Sequence, residues 1–193
     1  MSLILVYDEL DSTNSEAWRL VDRQQGRHKM GIWARTQTHG RGQRGHTWDS
    51  PVGGLYLSVL LALNLPVERA GEITLWSAWS IATHLNNYVQ GAPIRLKWQN
   101  DLFLQGRKLG GVLTETKVQG EQIRWAVVGI GINYLNPVPA GGINLHSVNH
   151  AIPSLDCLVQ IVHRSIVAGY DQWLSWGEGE LERHYQLLRL PAS

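Results

Sequence analysis

The sequence predicts an α+β fold: a mixed, largely antiparallel β-sheet flanked by helices. Three observations predict it. Apolar runs of strand length recur in neighbouring pairs with turn residues between them, the pattern of antiparallel hairpins. Helical segments stand at the front, middle and end of the chain, without the regular strand–helix alternation of a parallel sheet. The 193 residues, 44% hydrophobic and 17% charged, suit one domain with a sizeable core.

The elements follow in order. "LILVY" (3–7) reads as a strand. "STNSEAWRLVDRQQG" (12–26) reads as a helix. In it Thr13 and Glu16 make a capping box, Ala17, Leu20 and Val21 mark one face, and Gly26 ends it. "GIWARTQ" (31–37) alternates as a strand, and a glycine–arginine loop (38–54) follows it. "LYLSVLLAL" (55–63) is an apolar strand, and residues 67–91 form a long, largely buried helix. "IRLKW" (94–98) precedes "LFLQGRKLGGVL", a hairpin turning at Gln105–Gly106. "LTETKV" and "IRWAVVGIGINY" pair across "QGEQ", and from about Leu155 the chain is helical.

The formal net charge of +1 argues against bulk attraction to nucleic acid, so any cationic chemistry is local. The single cysteine, Cys157, excludes a disulfide scaffold and fits a reduced, cytoplasmic setting. Its apolar neighbourhood, "LDCLVQIV", predicts an inert buried thiol. The N-terminus has no basic region and only a short apolar run, so no signal peptide is expected. No stretch approaches a membrane span. Of the nine tryptophans, most should fill core and some should offer flat faces to a ring-bearing ligand.

"HGRGQRGHTW" (39–48) contains G-x-G-x-x-G at Gly40, Gly42 and Gly45. A dinucleotide loop of that pattern needs a helix opening at its last glycine. Here "HTWDSPVGG" follows, with no helical period, and no acidic residue stands about twenty positions on. No H-R-D or D-F-G accompanies it, so a kinase loop fails as well. The remaining readings are a solvated turn or a flexible loop that wraps an anion, with backbone N–H groups as a nest and Arg41 and Arg44 as cationic forks.

"LKWQNDLFLQGRKLGGVLTE" (96–115) is equally dense. Lys97 and Asp101 flank Trp98 and Asn100, and Lys108 precedes the pair Gly110–Gly111, where a ligand can approach the backbone. Asn100–Asp101 is otherwise a plain turn. Gly129 and Gly131 lie on a strand and mark either a bulge or a close approach. "STN" opens a helix, where free N–H groups await a cap or a polar ligand. His146 and His150 stand four apart in a polar loop, and no zinc site is expected there. Nothing supports a serine or cysteine nucleophile.

Taken together, "STN", "GRGQRGHTW", "KWQNDL", "RKLGGVLTE" and "GIGINY" resemble the biotin protein ligases in order and spacing. The resemblance is dense from about Asp8 to Asn133 and looser beyond. The related lipoate ligases share the fold but not this glycine–arginine loop or K-W-x-N-D. The resemblance implies one catalytic domain over residues 1–193, helical over 154–193. It implies two steps: biotin and ATP give biotinyl-5′-AMP and pyrophosphate, then the adenylate acylates a lysine of a biotin carboxyl carrier protein, typically that of acetyl-CoA carboxylase.

By the same resemblance Arg41, Lys108 and Lys97 are the catalytic cations, which lower the repulsion between a carboxylate and a triphosphate. Ser12, Thr13, Asn14, Gln37, Gly40, Arg41, Gly42, Gln43, Lys108, Gly111, Gly129 and Ile132 would hold biotin. Trp48, Arg44, His46, Asn100 and Asn133 would hold the nucleotide, with Trp48 stacked on adenine. Asp101 would meet magnesium brought with ATP. No tightly bound cofactor or structural metal is expected, nor DNA, nor a membrane, and the protein would be a monomer or homodimer.

Three departures stand out. Gln43 replaces a usual arginine, His46 replaces another, and Gln99 replaces the proline of K-W-P-N-D. No helix-turn-helix precedes the first motif, and the chain ends at "LLRLPAS", where many members continue into a small β-rich domain. A lipoate or octanoate ligase or transferase of the same fold, and a non-catalytic biotin-binding module, are the competing readings.

Overall fold

Seven consecutive buried residues, Leu55 to Leu61, run along β3 (Leu55–Pro66) and put it in the interior of the sheet. The computed structural model describes residues 3–89, 91–148 and 151–190. Around β3 the chain arranges β1 (Ile4–Leu10), α1 (Thr13–Asp22), β2 (Gly31–Gln37), α2 (Ala70–Leu85), β4 (Arg95–Lys97), β5 (Asp101–Leu104), β6 (Arg107–Gln119), β7 (Gln122–Ile132), α3 (Leu155–Ser175) and α4 (Glu180–Leu188). The strands form one sheet in the order β1-β2-β3-β7-β6-β5-β4. The β1–β2 pair is parallel and is bridged by α1, as a parallel pair requires a crossover. Every other pair is antiparallel.

Side chains alternate across the strands, and this decides what each face carries. Leu55, Leu57, Val59 and Leu61 of β3 and Val128, Ile130 and Ile132 of β7 point to the face covered by α2, α3 and α4. α2 is buried almost all round, from Ile73 to Ala82, because it lies between the sheet and the two C-terminal helices. The opposite face carries Leu60 and Val127 against Ala17 and Leu20 of α1. Further along that face stand Ser58, Gly129 and Gly131, where small residues leave space. No helix among the described residues is long and apolar enough to cross a membrane.

Three expectations change. The N-cap of α1 is Ser12, and no side chain caps the helix. Thr13 bonds to Gln37 instead, and Glu16 to Arg19, so there is no capping box. α1 ends at Asp22 rather than near Gly26, because Gln24 turns into the left-handed region at φ 59°. Cys157 is exposed, not buried. Leu158, Val159, Val162 and Ile166 fill the inward stripe of α3, and the helical period leaves Cys157 facing out. His150 lies outside the described residues, so its spacing to His146 has no structural counterpart.

The hairpin is as expected. Gln105 and Gly106 adopt φ of 51° and 72°, the double left-handed turn that joins twisted strands most tightly.

Candidate functional site

A cavity of about 320 Å³ opens on the α1 face of the sheet. Its floor is the start of α1. Ser12, Thr13 and Asn14 are all buried there. Asp11 sets the approach: its carboxylate accepts the Ser12 N–H at 2.7 Å and takes both terminal nitrogens of Arg19. The Arg19 hydrogen bonds, helped by that N–H, hold the Asp11 carboxyl down at about 2.

One chain of polar contacts crosses the floor. The Thr13 N–H donates to Gln37 Oε1 at 2.8 Å, and Gln37 Nε2 donates to Ser50 Oγ at 2.9 Å. Ser50 Oγ in turn donates to the Trp48 carbonyl. On the other side Ser58 Oγ stands 2.7 Å from Thr13 Oγ1 and 2.6 Å from Asn14 Oδ1. Such chains hold each member in one orientation, since every change unpairs a buried group.

The glycines of β7 explain themselves here. A Cβ on Gly129 would strike the Asn14 carboxamide, and one on Gly131 would stand 2.6 Å from Trp48 Nε1. Trp48 therefore lies close against the strand, with the Lys108 ammonium 5.6 Å from its ring centroid. Its indole N–H is buried with no partner among the described residues.

Arg41 and Lys108 both line the cavity, and each holds a carboxylate. Arg41 pairs with Glu115 at 3.0 Å, and Lys108 pairs with Asp101 at 2.8 Å. The loop carrying Arg41 is a small ladder rather than an irregular coil. Arg41 bridges Thr47, the Trp48 N–H donates to the Gly40 carbonyl, and a 3-10 turn at Gln43–Gly45 closes the tip. Arg44 sits in that turn at φ 57°.

The cavity brings together Ser12, Thr13, Asn14, Gln37, Arg41, Gly42, Gln43, Arg44, His46, Trp48, Asn100, Asp101, Lys108, Gly111 and Gly129. Four predicted residues stand elsewhere. Ile132 is fully buried on the helix-covered face, because it shares the parity of Ile130 and not of Gly129. Lys97 is absent from the lining; its ammonium lies over the Phe103 ring, 5.5 Å from the centroid. Gly40 is buried beneath Trp48 and Ser50, where a Cβ would clash with both. Asn133 accepts from Asn136 at 2.9 Å and lines a second cavity of about 790 Å³. That cavity shares Trp48, Lys108 and Gln37 with the first and is walled by Pro137 to Gly142.

Sequence reading missed two contributors. Glu115 gave no local signal, because Arg41 lies 74 residues away. The other is the C-terminal helix. Trp98 lines the cavity and meets Tyr185 of α4 edge-on at 5.6 Å, with Arg189 over its other side at 5.8 Å. Burial pushes the Tyr185 hydroxyl up to about 12. Leu190 N–H donates to the Leu96 carbonyl, and Arg95 donates to the Leu187 carbonyl. The turn bearing Asn100 and Asp101 therefore rests on the end of the chain.

Among the described residues no three His, Cys, Asp or Glu side chains converge to hold a metal. Asp101 is the one carboxylate among the residues lining the first cavity.

The biotin/lipoate A/B protein ligase family profile matches residues 7–133. The bifunctional ligase/repressor BirA of Bacillus subtilis is 30% identical over 131 residues, covering 67% of this chain and 40% of that protein. The biotin–[acetyl-CoA-carboxylase] ligase of Paracoccus denitrificans is 31% identical over 134 residues, covering 69% of this chain and 55% of that one. The chain thus spans about half the length of these relatives, or less. Among solved structures, the biotin protein ligase of Aquifex aeolicus in complex with biotin and ATP superposes with a TM-score of 0.79 at 26% identity, covering 98% of this chain and 79% of that one.

Proposed function

The chain belongs to the biotin/lipoate A/B protein ligase family, and we propose that it activates biotin with ATP and transfers it to a lysine of a biotin carboxyl carrier protein. The observation that carries this reading is that Arg41 and Lys108 line one cavity whose floor is polar and neutral. A carboxylate and a triphosphate repel each other, so a site that joins them needs local cations at the point of contact. A ureido ring needs paired donors and acceptors, which Ser12, Thr13, Asn14 and Gln37 offer. A lipoyl dithiolane has no such groups, so this floor favours biotin over lipoate.

In the first step a biotin carboxylate oxygen attacks the α-phosphorus of ATP and pyrophosphate leaves. Arg41 and Lys108 stabilise the charge that builds on the phosphoryl oxygens. Magnesium arrives with the triphosphate. Asp101 and the Asn100 carboxamide oxygen would hold it, a small set that suits an ion keeping mostly water and phosphate ligands. The second cavity, with Trp48 at the boundary and Asn133 in its wall, takes the nucleoside. In the second step the acceptor amine attacks the acyl carbon, AMP leaves, and the amine loses its proton.

ATP–pyrophosphate exchange tests this, run with biotin, with lipoate and with neither. Exchange that requires biotin is the expected result. Exchange that requires lipoate moves the assignment to the lipoate or octanoate branch. Biotin binding without exchange leaves a non-catalytic binding module.

A further inference from the structure

Glu115 has no part in the chemistry above, yet it is the most connected carboxylate beside the cavity. It stands on β6 opposite Val127, on the sheet face that meets α1. Its Oε1 lies 3.0 Å from Arg41 NH1. Its Oε2 accepts from Arg41 NH2 at 3.1 Å, from Trp18 Nε1 at 2.9 Å and from Asn14 Nδ2 at 3.1 Å. One carboxylate thus joins the glycine–arginine loop to the helix that floors the cavity.

Exposed ion pairs add little stability, but a charge-assisted hydrogen bond inside a two-point ion pair fixes direction. Arg41 otherwise depends on a single backbone bridge to Thr47 in a mostly exposed loop. The hydrogen bond to Glu115 uses one N–H of NH2, NH1 meets the carboxylate as an ion pair, and further donors are left for the cavity.

We infer that Glu115 is a positioning residue for adenylation: it aims the Arg41 guanidinium into the cavity and tethers the loop to α1. The adenylation half rests on the function proposed above; the tether does not. Asn14 gives the tether a second consequence. It receives Ser58 on one side and donates to Glu115 on the other, so the floor and the loop share one polar chain.

The test uses Glu115→Gln, which keeps the shape and removes the charge. Trypsin is applied to the native protein without ligand, and cleavage after Arg41 is measured relative to cleavage after Arg44 in the same loop. Global unfolding raises both cleavages; loss of the tether raises the first alone. We expect this ratio to rise about tenfold with Tm nearly unchanged. Biotin-dependent exchange should lose about tenfold to a hundredfold in kcat while KM for biotin stays within about twofold. Trp18→Phe removes one donor but spares the ion pair, and should leave both readouts near wild type.

An unchanged cleavage ratio overturns the tether, as does a ratio that rises equally in Trp18→Phe. An unchanged kcat with a raised ratio overturns the role in adenylation. If the wild type exchanges no pyrophosphate, the proposed reaction fails and that half falls with it, while the cleavage ratio still decides whether Glu115 holds the loop.

Discussion

The two walls of the cavity present the same chemistry on different foundations. Lys108 projects from β6, and its backbone is stitched on one flank to β5 and on the other to residues 141–143. Arg41 projects from a nine-residue ladder between Gly40 and Trp48, whose tip is a single 3-10 turn. The lysine is placed by the sheet, and its pair with Asp101 sets charge. The arginine is placed by its carboxylate. The comparison teaches that a salt bridge of nearly the same length can be an electrostatic partner in one wall and a structural tie in the other.

The sharpest way to probe this contrast is to remove the sheet-borne cation. Lys108→Ala should lower biotin-dependent pyrophosphate exchange by about 10²–10³ in kcat, the loss seen when one preorganised donor to a developing anion is deleted. The fold should persist, since the backbone bonds of β6 do not involve the side chain. A loss below about tenfold would mean that the loop arginines, Arg41 and Arg44, carry the phosphoryl charge without it.

A smaller effect is expected from strengthening the other wall. Gln43 lines the cavity beside Arg41 and offers a neutral amide. Gln43→Arg adds a guanidinium where a charge-assisted bond to the adenylate can form, worth roughly 1.5–3 kcal/mol, so release of biotinyl-AMP should slow by about tenfold or more. Release that is unchanged or faster would show that the loop is limited by its tether and not by its charge.

The smallest effect lies in the scaffold behind both walls. His163 is buried on α3, bonds the Lys29 carbonyl at 3.0 Å and packs on Gly31. Burial lowers its pKa, and nearby Arg164 adds to this against the Lys29 bond. The folded state therefore binds the proton less well than the unfolded one. Stability from this group is complete above the ordinary histidine range and is lost as pH falls through it toward the lowered value. Wild-type Tm should drop between pH 7 and 5, and His163→Gln should flatten that drop by about 2–4 °C. An equal drop in both proteins would remove His163 as the cause.

Much of this architecture was legible in the residues. The apolar run of β3 announced a strand, and Gln105–Gly106 announced the turn between β5 and β6. The motifs named most of the cavity lining, because they lie at the ends of elements that alternation places on one face. Parity accounts for Ile132: it sits one residue beyond Gly131, so the pleat carries it to the opposite face. Phase accounts for Cys157, whose apolar neighbours fill the inward stripe and leave it outside. The contacts of Glu115 with Arg41, and of Tyr185 with Trp98, join distant segments through side chains. No local pattern encodes them, since neither partner changes the period of its own element.

The stitch at Lys108 also says where the chain can change length. Surface loops accept extra residues cheaply, and the stretch from Asn136 to Gly142 looks like one. Asn136 is buried and bonded at both its amide and its carbonyl, and the Gly142 N–H closes a turn onto the Pro139 carbonyl. An insertion between Pro137 and Val138 would lengthen only the exposed arc and reshape the wall of the second cavity. The same insertion after Gly141 would pull the strap off β6 and shift the lysine with it. An engineered label would therefore be accommodated between Pro137 and Val138 and not after Gly141.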